Sequence, residues 1–330
     1  MVEAKHWKTL DDGRVACELC PHRCTISDGG HGICRARVNR GGTLYAENFG
    51  QCVSVALDPI EKKPLYHVCP GKSVLSIACN SCNFDCDFCQ NWTISQEPAR
   101  TAAVSPEELV NIAAEGGSFG IAYTYTEPLV WFEYLLEAGT LAREKGLMNI
   151  LVTNGAINPD PLKELLPLVG AMNVDLKSMR PDFYTTYCHI DALDAVKHTI
   201  AEAAGTCHVE VTNLVIPTLN DSDEDFRDLV GFIAGIRRTI PLHFSRYFPA
   251  YKMKIEPTPV ATLERAAEIA REELDYVYLG NVGLGQDADT VCPQCGNVLV
   301  RRAGYLGDVV GVRDGACSNC GRPADFVWCD

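Results

Sequence analysis

The residue pattern with the most chemical content is a triplet of cysteines within one short segment. Cys82, Cys86 and Cys89 have the spacing Cys-x3-Cys-x2-Cys. Thiolates at this spacing can each hold one iron of a four-iron cluster, which leaves the fourth iron without a protein ligand. A mononuclear metal normally needs a fourth protein ligand, and Cys79 lies just upstream to supply it. The segment therefore predicts an iron–sulfur cluster with one open iron, with a zinc knuckle as the alternative.

A second set of cysteines lies near the N-terminus, in a segment rich in glycine. Its members are Cys17, Cys20, Cys24 and Cys34. The segment has too little apolar sequence for a core of its own, so a bound metal would stabilise it. Cysteines in this number suit both a tetrahedral zinc and an iron–sulfur cluster. We expect zinc at this site, with an auxiliary iron–sulfur cluster as the close alternative.

A third set occupies the C-terminal segment as two Cys-x2-Cys pairs. The pairs are Cys292 with Cys295 and Cys317 with Cys320, and each is followed directly by glycine. A glycine at that position lets the chain turn back around a metal, and the pattern is typical of a zinc ribbon. We therefore predict a zinc site here.

The composition limits the class of protein. The chain of 330 residues is 47% hydrophobic and has no apolar run long enough to span a bilayer, which predicts a soluble protein with one sizeable core. Its N-terminus lacks the apolar stretch of a secretion signal, which favours the cytoplasm. In that reducing compartment, 17 cysteines indicate metal ligands and not disulfides. A net charge of −14 disfavours binding to nucleic acid or to a membrane surface.

Short β-rich runs alternate with helix-like stretches through the middle of the chain. Helices are predicted to begin at Ser105, Asp223 and Thr262, where capping or acidic residues suit the positive end of a helix. This alternation predicts an α/β fold, with parallel strands and right-handed crossovers in a partial (β/α)6-type or a TIM-like barrel. The predicted strands cover residues 74–77, 120–125, 149–153, 172–176, 209–216, 242–248 and 276–279.

The cysteine sets and the strand pattern divide the chain into three predicted domains. Residues 1–70 form a cysteine-rich, metal-binding N-terminal segment, residues 71–285 form the barrel core, and residues 286–330 form a C-terminal domain like a zinc ribbon. We expect the chemistry to lie in the barrel core, at the carboxyl ends of its strands.

Polar side chains gather at those predicted strand ends. Glu127 follows the second strand and Asn154 follows the third. On the fourth strand Asp175 and Lys177 share one side, and charges inside a barrel need either a ligand or each other. Phe88, just before the last cysteine of the triplet, could stack on a flat aromatic ligand or pack within its own loop. We expect a bound cofactor in this region.

Two further strands carry polar residues that alternate with apolar ones. These residues are candidates for substrate contact, and their occurrence on successive strands favours that role over isolated core positions. They are Glu210, Thr212, His243, Ser245 and Tyr247.

Taken together, these motifs resemble the radical S-adenosylmethionine (SAM) superfamily, including the activating enzyme of pyruvate formate-lyase. The cysteine triplet and residues 153–155 and 175–177 carry that similarity. The resemblance is closer to the radical SAM member of the AmmeMemoRadiSam group, and it extends over nearly the whole chain. One departure is the cysteine at position 79, in a segment where that family tends to have glycine. The segments that match the group are residues 20–24, 58–67, 86–92, 241–246 and 276–282, together with the C-terminal ribbon.

The resemblance implies a radical SAM barrel in which the cysteine triplet holds a [4Fe-4S] cluster and SAM occupies the open iron. It implies reductive cleavage of SAM to methionine and a 5′-deoxyadenosyl radical, which removes a hydrogen atom from an unidentified small molecule or protein residue. Such an oxidoreductase needs a low-potential electron donor as a partner. The residues that would contact SAM are Phe88, Glu127, Asn154, Asp175 and Lys177.

Two alternative functions stay open. The first is a glycyl-radical activase. Some activases have added ferredoxin-like cysteine pairs just after the triplet. Residues 90–187 contain no cysteine, which argues against that subset but not against simpler activases. The second is a binding or scaffold protein stabilised by zinc at all three cysteine sets. A scaffold would leave the polar residues at the strand ends without a role.

Overall fold

The computed structural model describes residues 1–283 and 288–329. The predicted boundary between barrel core and ribbon, at residues 285 and 286, lies outside the described residues. The strands, in chain order, are β1 (Val2–Glu3), β2 (Trp7–Thr9), β3 (Val15–Cys17), β4 (Thr25–Ile26), β5 (Arg37–Arg40), β6 (Thr43–Ala46), β7 (Gln51–Pro59), β8 (Ser73–Cys79), β9 (Ala102–Ala103), β10 (Gly120–Tyr123), β11 (Met148–Thr153), β12 (Ala171–Asp175), β13 (His208–Val215), β14 (Leu242–Arg246), β15 (Val277–Gly280), β16 (Thr290–Val291), β17 (Val298–Ala303), β18 (Leu306–Val309), β19 (Val312–Arg313) and β20 (Ala316–Cys317).

The centre of the molecule is one mixed sheet with the strand order β15-β14-β13-β12-β11-β10-β8-β7-β9. Strands β8 and β10 to β15 are parallel, whereas β7 pairs with β8 in the antiparallel direction. The parallel α/β core confirms the predicted fold class. In the part of the chain that the structure describes, β15 pairs with β14 alone, so the sheet is open. A partial barrel is therefore observed, and a closed TIM-like barrel is not.

The helices connect the parallel strands as crossovers. Helix α2 begins after Ser105, whose side chain accepts from the Glu108 N–H in a capping box, as predicted. Helix α7 begins at the predicted Asp223, and α8 begins at Val260, slightly before the predicted Thr262. Among the described residues, no helix is both long and apolar enough to cross a bilayer. The helices are α1 (Trp92–Ser95), α2 (Pro106–Glu115), α3 (Phe132–Glu144), α4 (Pro159–Leu165), α5 (Pro181–Phe183), α6 (Leu193–Ala204), α7 (Asp223–Ile236) and α8 (Val260–Arg271), with a π-helix at Tyr184–Cys188.

The segment between β7 and β8 packs against the inner face of the sheet. The N–H groups of Tyr66 and His67 both donate to the Glu210 carboxylate of β13, at 3.0 and 2.7 Å. The Asn173 side chain of β12 donates to the carbonyl oxygen of Pro64 at 2.7 Å. The polar groups of β12 and β13 therefore anchor this connector, and the connector covers part of the face that carries Asn173 and Glu210.

Two small sheets form the N-terminal segment, in the orders β1-β6-β5 and β2-β3-β4. A buried ion pair joins this segment to the core, because the Arg37 guanidinium donates to the Glu133 carboxylate of α3 at 2.6 Å. Strand β7 follows within residues 1–70 but belongs to the central sheet.

The C-terminal segment contains the sheets β16-β17-β18 and β19-β20. Gly296 and Gly321, which follow the two cysteine pairs, have φ angles of 72° and 76°. Only glycine adopts this left-handed backbone at little cost, so the chain turns back at both predicted positions. The Arg302 guanidinium of β17 donates to the carbonyl oxygen of Tyr66 at 2.6 Å, which attaches the ribbon to the connector.

One disulfide corrects the expectation that the cysteines indicate metal ligands and not disulfides. Cys69 and Cys329 are bonded, with their Cα atoms 5.4 Å apart. Val68 and Val327 form a parallel bridge, and the Cys69 N–H donates to the Val327 carbonyl oxygen at 2.8 Å. Docking of the chain end against the connector brings the two cysteines together, and their separation along the sequence concealed this.

Candidate active site

The cysteine triplet lies on the loop that follows β8, at the carboxyl edge of the sheet. Cys86 is buried, and Cys82 and Cys89 are half-buried. The Phe84 N–H lies 3.3 Å from Cys82 Sγ, and Ser95 Oγ lies 3.3 Å from Cys89 Sγ. Donors directed at sulfur stabilise the thiolates that an iron–sulfur cluster requires. The donor set therefore fits the predicted cluster.

A zinc knuckle at the triplet would need Cys79 as its fourth ligand. Within residues 1–283 and 288–329, three or more ligand atoms lie within 4.8 Å of one another only in the C-terminal ribbon. In this structure the three triplet sulfurs are therefore not all within 4.8 Å of one another. Cys79, the fourth ligand of the zinc alternative, places its Sγ 3.5 Å from Thr126 Oγ1 and 3.6 Å from the Glu127 carbonyl oxygen.

Cys188 lies beside the triplet, although no spacing in the sequence indicates it. It is fully buried at the end of the π-helix. A hydrogen bond with Cys188, together with burial, raises the pKa of the Cys86 thiol well above its ordinary value. The Asp85 N–H donates to the Cys188 carbonyl oxygen at 3.3 Å, so the two loops are joined by their backbones as well.

Glu127 and Asn154 meet at the ends of β10 and β11. The Glu127 carboxylate accepts from the Thr153 hydroxyl at 2.6 Å, from the Leu129 N–H at 2.9 Å and from the Asn154 N–H at 2.8 Å. Burial raises the pKa of Glu127 to about 7. The Asn154 side-chain amide lies 3.8 Å from Cys82 Sγ. Glu127 therefore holds the backbone at Asn154, and the Asn154 side-chain amide is directed toward the loop of the cysteine triplet.

Asp175 and Lys177 form an ion pair at the end of β12. Their oxygen and nitrogen atoms are 2.9 Å apart, and the Lys177 ammonium lies 5.9 Å from the Phe88 ring centroid. Burial lowers the pKa of Lys177, but the Asp175 carboxylate and the sulfur of Cys86 raise it by more, so the net pKa is well above its ordinary value. This ion pair is the internal salt bridge that the sequence allowed as the alternative to contact with a ligand. It lies beside the cysteine triplet.

The N-terminal cysteines are close to one another but more widely spaced than the ribbon cysteines. Burial raises the pKa of Cys20 to about 12 and that of Cys34 to about 11. In the region that the structure covers, no three of the four N-terminal sulfurs lie within 4.8 Å of one another. His22 donates to the Asn83 carbonyl oxygen at 2.7 Å and His31 pairs with Glu47 at 2.8 Å, so neither ring is directed at the cysteines.

The ribbon cysteines are arranged as a compact four-ligand site. The sulfurs of Cys292 and Cys320 are 3.6 Å apart, and those of Cys295 and Cys317 are 3.7 Å apart. Thiolates at 2.3 Å from a tetrahedral zinc would be separated by about this distance. A hydrogen bond from the Cys320 N–H lowers the pKa of the Cys317 thiol to about 6, which favours the form that binds metal. This group fits a zinc ribbon.

A cavity of about 400 Å³ lies over β13, β14 and β15. Thr212, His243 and Ser245, three of the predicted substrate contacts, line one side. Glu61 and Tyr66 of the connector line another. The connector residues were not predicted, because their position depends on how the connector folds over the sheet. Of the other candidates, Glu210 lies directly beneath, hydrogen-bonded to His243, whereas Tyr247 is buried outside the lining.

A larger cavity, about 790 Å³, lies between the ribbon and the amino end of β15. Arg238, Arg271 and Arg301 contribute to its lining. Because the cysteine triplet follows the carboxyl end of β8 in the same parallel sheet, this cavity is at the wrong end of the strands for the chemistry expected of the triplet.

Comparison with known proteins agrees with this geometry. The family model described as the radical SAM superfamily matches residues 76–233. The chain is 43% identical over 337 residues to an uncharacterized protein of Methanocaldococcus jannaschii, with 99% of this chain and 100% of that protein covered. It is 31% identical over 209 residues to a probable GTP 3′,8-cyclase of Thermococcus kodakarensis, with 56% of this chain and 65% of the relative covered.

A solved structure also has a similar fold. A radical SAM methyltransferase from Sphaerobacter thermophilus matches with a TM-score of 0.50 at 15% identity, covering 88% of this chain and 79% of that chain. At this level of identity the likeness concerns the fold alone.

Proposed function

The chain belongs to the radical SAM superfamily, and from that premise we propose that it is a radical SAM enzyme of the AmmeMemoRadiSam type that acts on a small-molecule substrate. The observation that carries the proposal is the position of the triplet Cys82, Cys86 and Cys89 at the carboxyl edge of a parallel sheet, beside Asn154 and Lys177. When bound, the [4Fe-4S] cluster and SAM supply reductive cleavage of SAM and abstraction of a substrate hydrogen atom.

The residues around the triplet have separate roles in this proposal. Cys82, Cys86 and Cys89 hold the cluster. Asn154 donates to the sulfur of Cys82, and hydrogen bonds to sulfur are one means by which a protein tunes cluster potential. Lys177 supplies a positive charge that offsets the negative charge of thiolate ligands.

SAM binding is assigned to the same edge of the sheet. Asp175 and Lys177 carry the charges that complement the amino and carboxylate groups of SAM, so SAM would compete with their present ion pair. Phe88 is buried next to Lys177 and could cover the adenine ring. Glu127 already accepts three hydrogen bonds from the protein, from Leu129, Thr153 and Asn154. We therefore assign it the role of positioning this backbone, in addition to any contact with SAM.

The other two cysteine sets are assigned different metals. The spacing of Cys292, Cys295, Cys317 and Cys320 supports zinc in the ribbon. The contact of the N-terminal loop with the triplet loop, from His22 to Asn83, supports an auxiliary [4Fe-4S] cluster over the zinc that the sequence favoured. A low-potential electron donor is the required partner.

The cavity over β13 to β15 favours a small molecule over the glycyl-radical activase alternative. An activase must reach a backbone glycine of a large partner, whereas this cavity holds about 400 Å³ and is lined by connector and strand residues. The scaffold alternative gives no reason for the donors directed at the triplet sulfurs.

The proposal is tested by anaerobic purification and reconstitution, followed by addition of SAM and a strong reductant. We expect 5′-deoxyadenosine and methionine in wild-type protein and neither in Cys86→Ala. Cys79→Ala is the matched control, because Cys79 is buried nearby but its sulfur contacts Thr126 and Glu127. A fully reconstituted, reducible protein that does not cleave SAM would refute the proposal, and cleavage by Cys86→Ala would refute the ligand assignment.

A further inference from the structure

A buried carboxylate organises the wall of the cavity. Glu210 accepts from the N–H groups of Tyr66 and His67, from His208 Nε2 at 3.1 Å and from His243 Nε2 at 2.6 Å. Burial alone would raise its pKa, but the hydrogen bonds from the two histidines lower that pKa well below the ordinary value. Glu210 is therefore an ionised acceptor with four donors, and it cannot donate to either ring.

This network selects the tautomer of His243. Because Glu210 accepts at Nε2, a neutral His243 ring carries its proton on Nε2 and a lone pair on Nδ1. Among residues 1–283 and 288–329, Nδ1 of His243 has no hydrogen-bond partner. The ring is held by stacking on Tyr278 at 5.1 Å and by an edge contact with Tyr66 at 4.8 Å. The ring is therefore fixed at the wall of the cavity, where its neutral form presents Nδ1 as an acceptor.

A second acceptor lies across the cavity. Glu61 is 1% exposed, and its Oε1 accepts from the Gly71 N–H at 2.8 Å. Its Oε2 has no partner among the described residues, and the nearest Arg302 nitrogen is 3.7 Å from the other oxygen. A buried oxygen without a hydrogen-bond partner is costly. A ligand that donates a hydrogen bond would satisfy it.

The cavity and Asp175 lie on the same face of the sheet. Asp175, Thr212, His243 and Tyr278 are paired in register across β12, β13, β14 and β15. Side chains at paired positions project from the same face of a sheet. His243 therefore lies on the face that carries Asp175, two strands away from the proposed SAM contacts.

We propose that this cavity is the substrate site and that it takes a small, uncharged or cationic molecule bearing hydroxyl or amine donors, with Nδ1 of His243 and the Glu61 carboxylate as its acceptors. The assignment as a substrate site rests on the proposed function, whereas the binding chemistry does not. An anionic ligand is disfavoured, because two acceptors face it and Lys62, the lysine in the lining, is already paired with Asp58 at 2.8 Å.

The test uses the reconstituted protein and measures Kd by ligand-observed NMR, without turnover. The compounds are ethanolamine, glycerol and acetate. We expect ethanolamine and glycerol to bind and acetate not to bind. Loss of one hydrogen bond should weaken both ligands about tenfold in His243→Phe. Glu61→Gln, which keeps the shape of the side chain, should weaken ethanolamine about tenfold more than glycerol.

The matched control is His208→Phe. His208 donates to the same carboxylate but is not in the cavity lining, so its loss perturbs Glu210 without removing the acceptor. Equal loss of affinity in both histidine variants, tighter binding of acetate, or no binding of either donor compound would overturn the proposal. Binding without SAM cleavage would refute the proposed function alone, and SAM cleavage without binding would refute the cavity assignment alone.

Discussion

His22 Nε2 donates to the carbonyl oxygen of Asn83 at 2.7 Å, and this bond joins the N-terminal cysteine loop to the loop of the triplet. Asn158 strengthens the junction, since its side chain donates to the Cys20 carbonyl oxygen at 3.0 Å. The Asn83 side chain also donates to the Ala156 carbonyl oxygen at 3.0 Å. The N-terminal cysteine loop and the triplet loop are therefore neighbours, an arrangement that would suit transfer of electrons between the two proposed iron–sulfur centres.

Replacement of Cys20 by alanine should remove the N-terminal centre and leave the catalytic one. If the centre is a [4Fe-4S] cluster, Cys20→Ala should lose about four irons per chain, and Cys86→Ala should lose about four others. Iron, sulfide and zinc analysis after anaerobic reconstitution measures this directly. Loss of one zinc with unchanged iron in Cys20→Ala would instead restore the zinc expectation.

Replacement of Cys317 by serine should remove zinc from the ribbon without affecting iron. The four ribbon sulfurs are close enough for one ion, and a tetrahedral site missing one thiolate binds zinc far less tightly. We expect loss of about one zinc per chain and earlier unfolding of the C-terminal segment. Cys207→Ala is the control, because Cys207 belongs to none of the three sets. Unchanged zinc in Cys317→Ser would contradict the assignment.

The sequence predicted the features that depend on neighbouring residues or on a periodic pattern. The parallel strands, the helix start after Ser105 and the ribbon glycines follow from short-range patterns that tertiary contacts did not override. The position of Cys188 next to Cys86 was not predicted, because it depends on how a π-helix packs against a distant loop. The same holds for the Cys69–Cys329 disulfide, which arises from docking of the chain end.

In the candidate site, too, the sequence predicted short-range patterns and did not predict long-range contacts. The polar residues of β13 and β14 were identified by alternation, but their partners on the connector were not. Nothing in the sequence around Tyr66 indicates that two successive backbone N–H groups will be needed by Glu210. A buried carboxylate requires donors, and sequence alone does not say which segment supplies them.

Mild acid should destabilise the protein through His67. Its Nδ1–H donates to the Asp325 carbonyl oxygen and its Nε2 accepts from the Tyr278 hydroxyl, both at 2.7 Å, which only the neutral ring can do. Burial lowers the pKa of His67 to about 3, against about 6.5 in the unfolded chain. The stabilisation is therefore complete above pH 6.5 and declines as the pH falls, by at most about 1.4 kcal/mol per pH unit.

Urea unfolding of wild type and His67→Gln between pH 5.0 and 6.5 measures this effect. Glutamine can keep one donor and one acceptor but does not titrate, so we expect the free energy of unfolding to fall by about 2 kcal/mol less over this range in the variant. Exposed His189 provides the control variant His189→Gln. Parallel pH profiles for wild type and His67→Gln would contradict the prediction.

The buried ion pair between Arg37 and Glu133 should couple the N-terminal segment to the core. Their side chains are 1% and 7% exposed, and Glu133 also accepts from the Lys5 N–H at 2.8 Å. Arg37→Met leaves a buried carboxylate without its cation, which should cost about 3 to 5 kcal/mol of unfolding free energy. Adding Glu133→Gln removes the charge and keeps an acceptor for Lys5, so the double variant should be more stable than Arg37→Met alone.

An exposed pair provides the control for this cycle. Arg40 pairs with Glu47 in the same segment, but its side chain is 54% exposed, so Arg40→Met should cost less than about 1 kcal/mol. Denaturant unfolding of the wild type, Arg37→Met, Glu133→Gln and the double variant gives the coupling energy, with Arg40→Met measured beside them. If adding Glu133→Gln to Arg37→Met lowers the stability further, the energetic cost lies in lost packing and not in the unpaired charge, and the ion pair does not fasten the segment to α3.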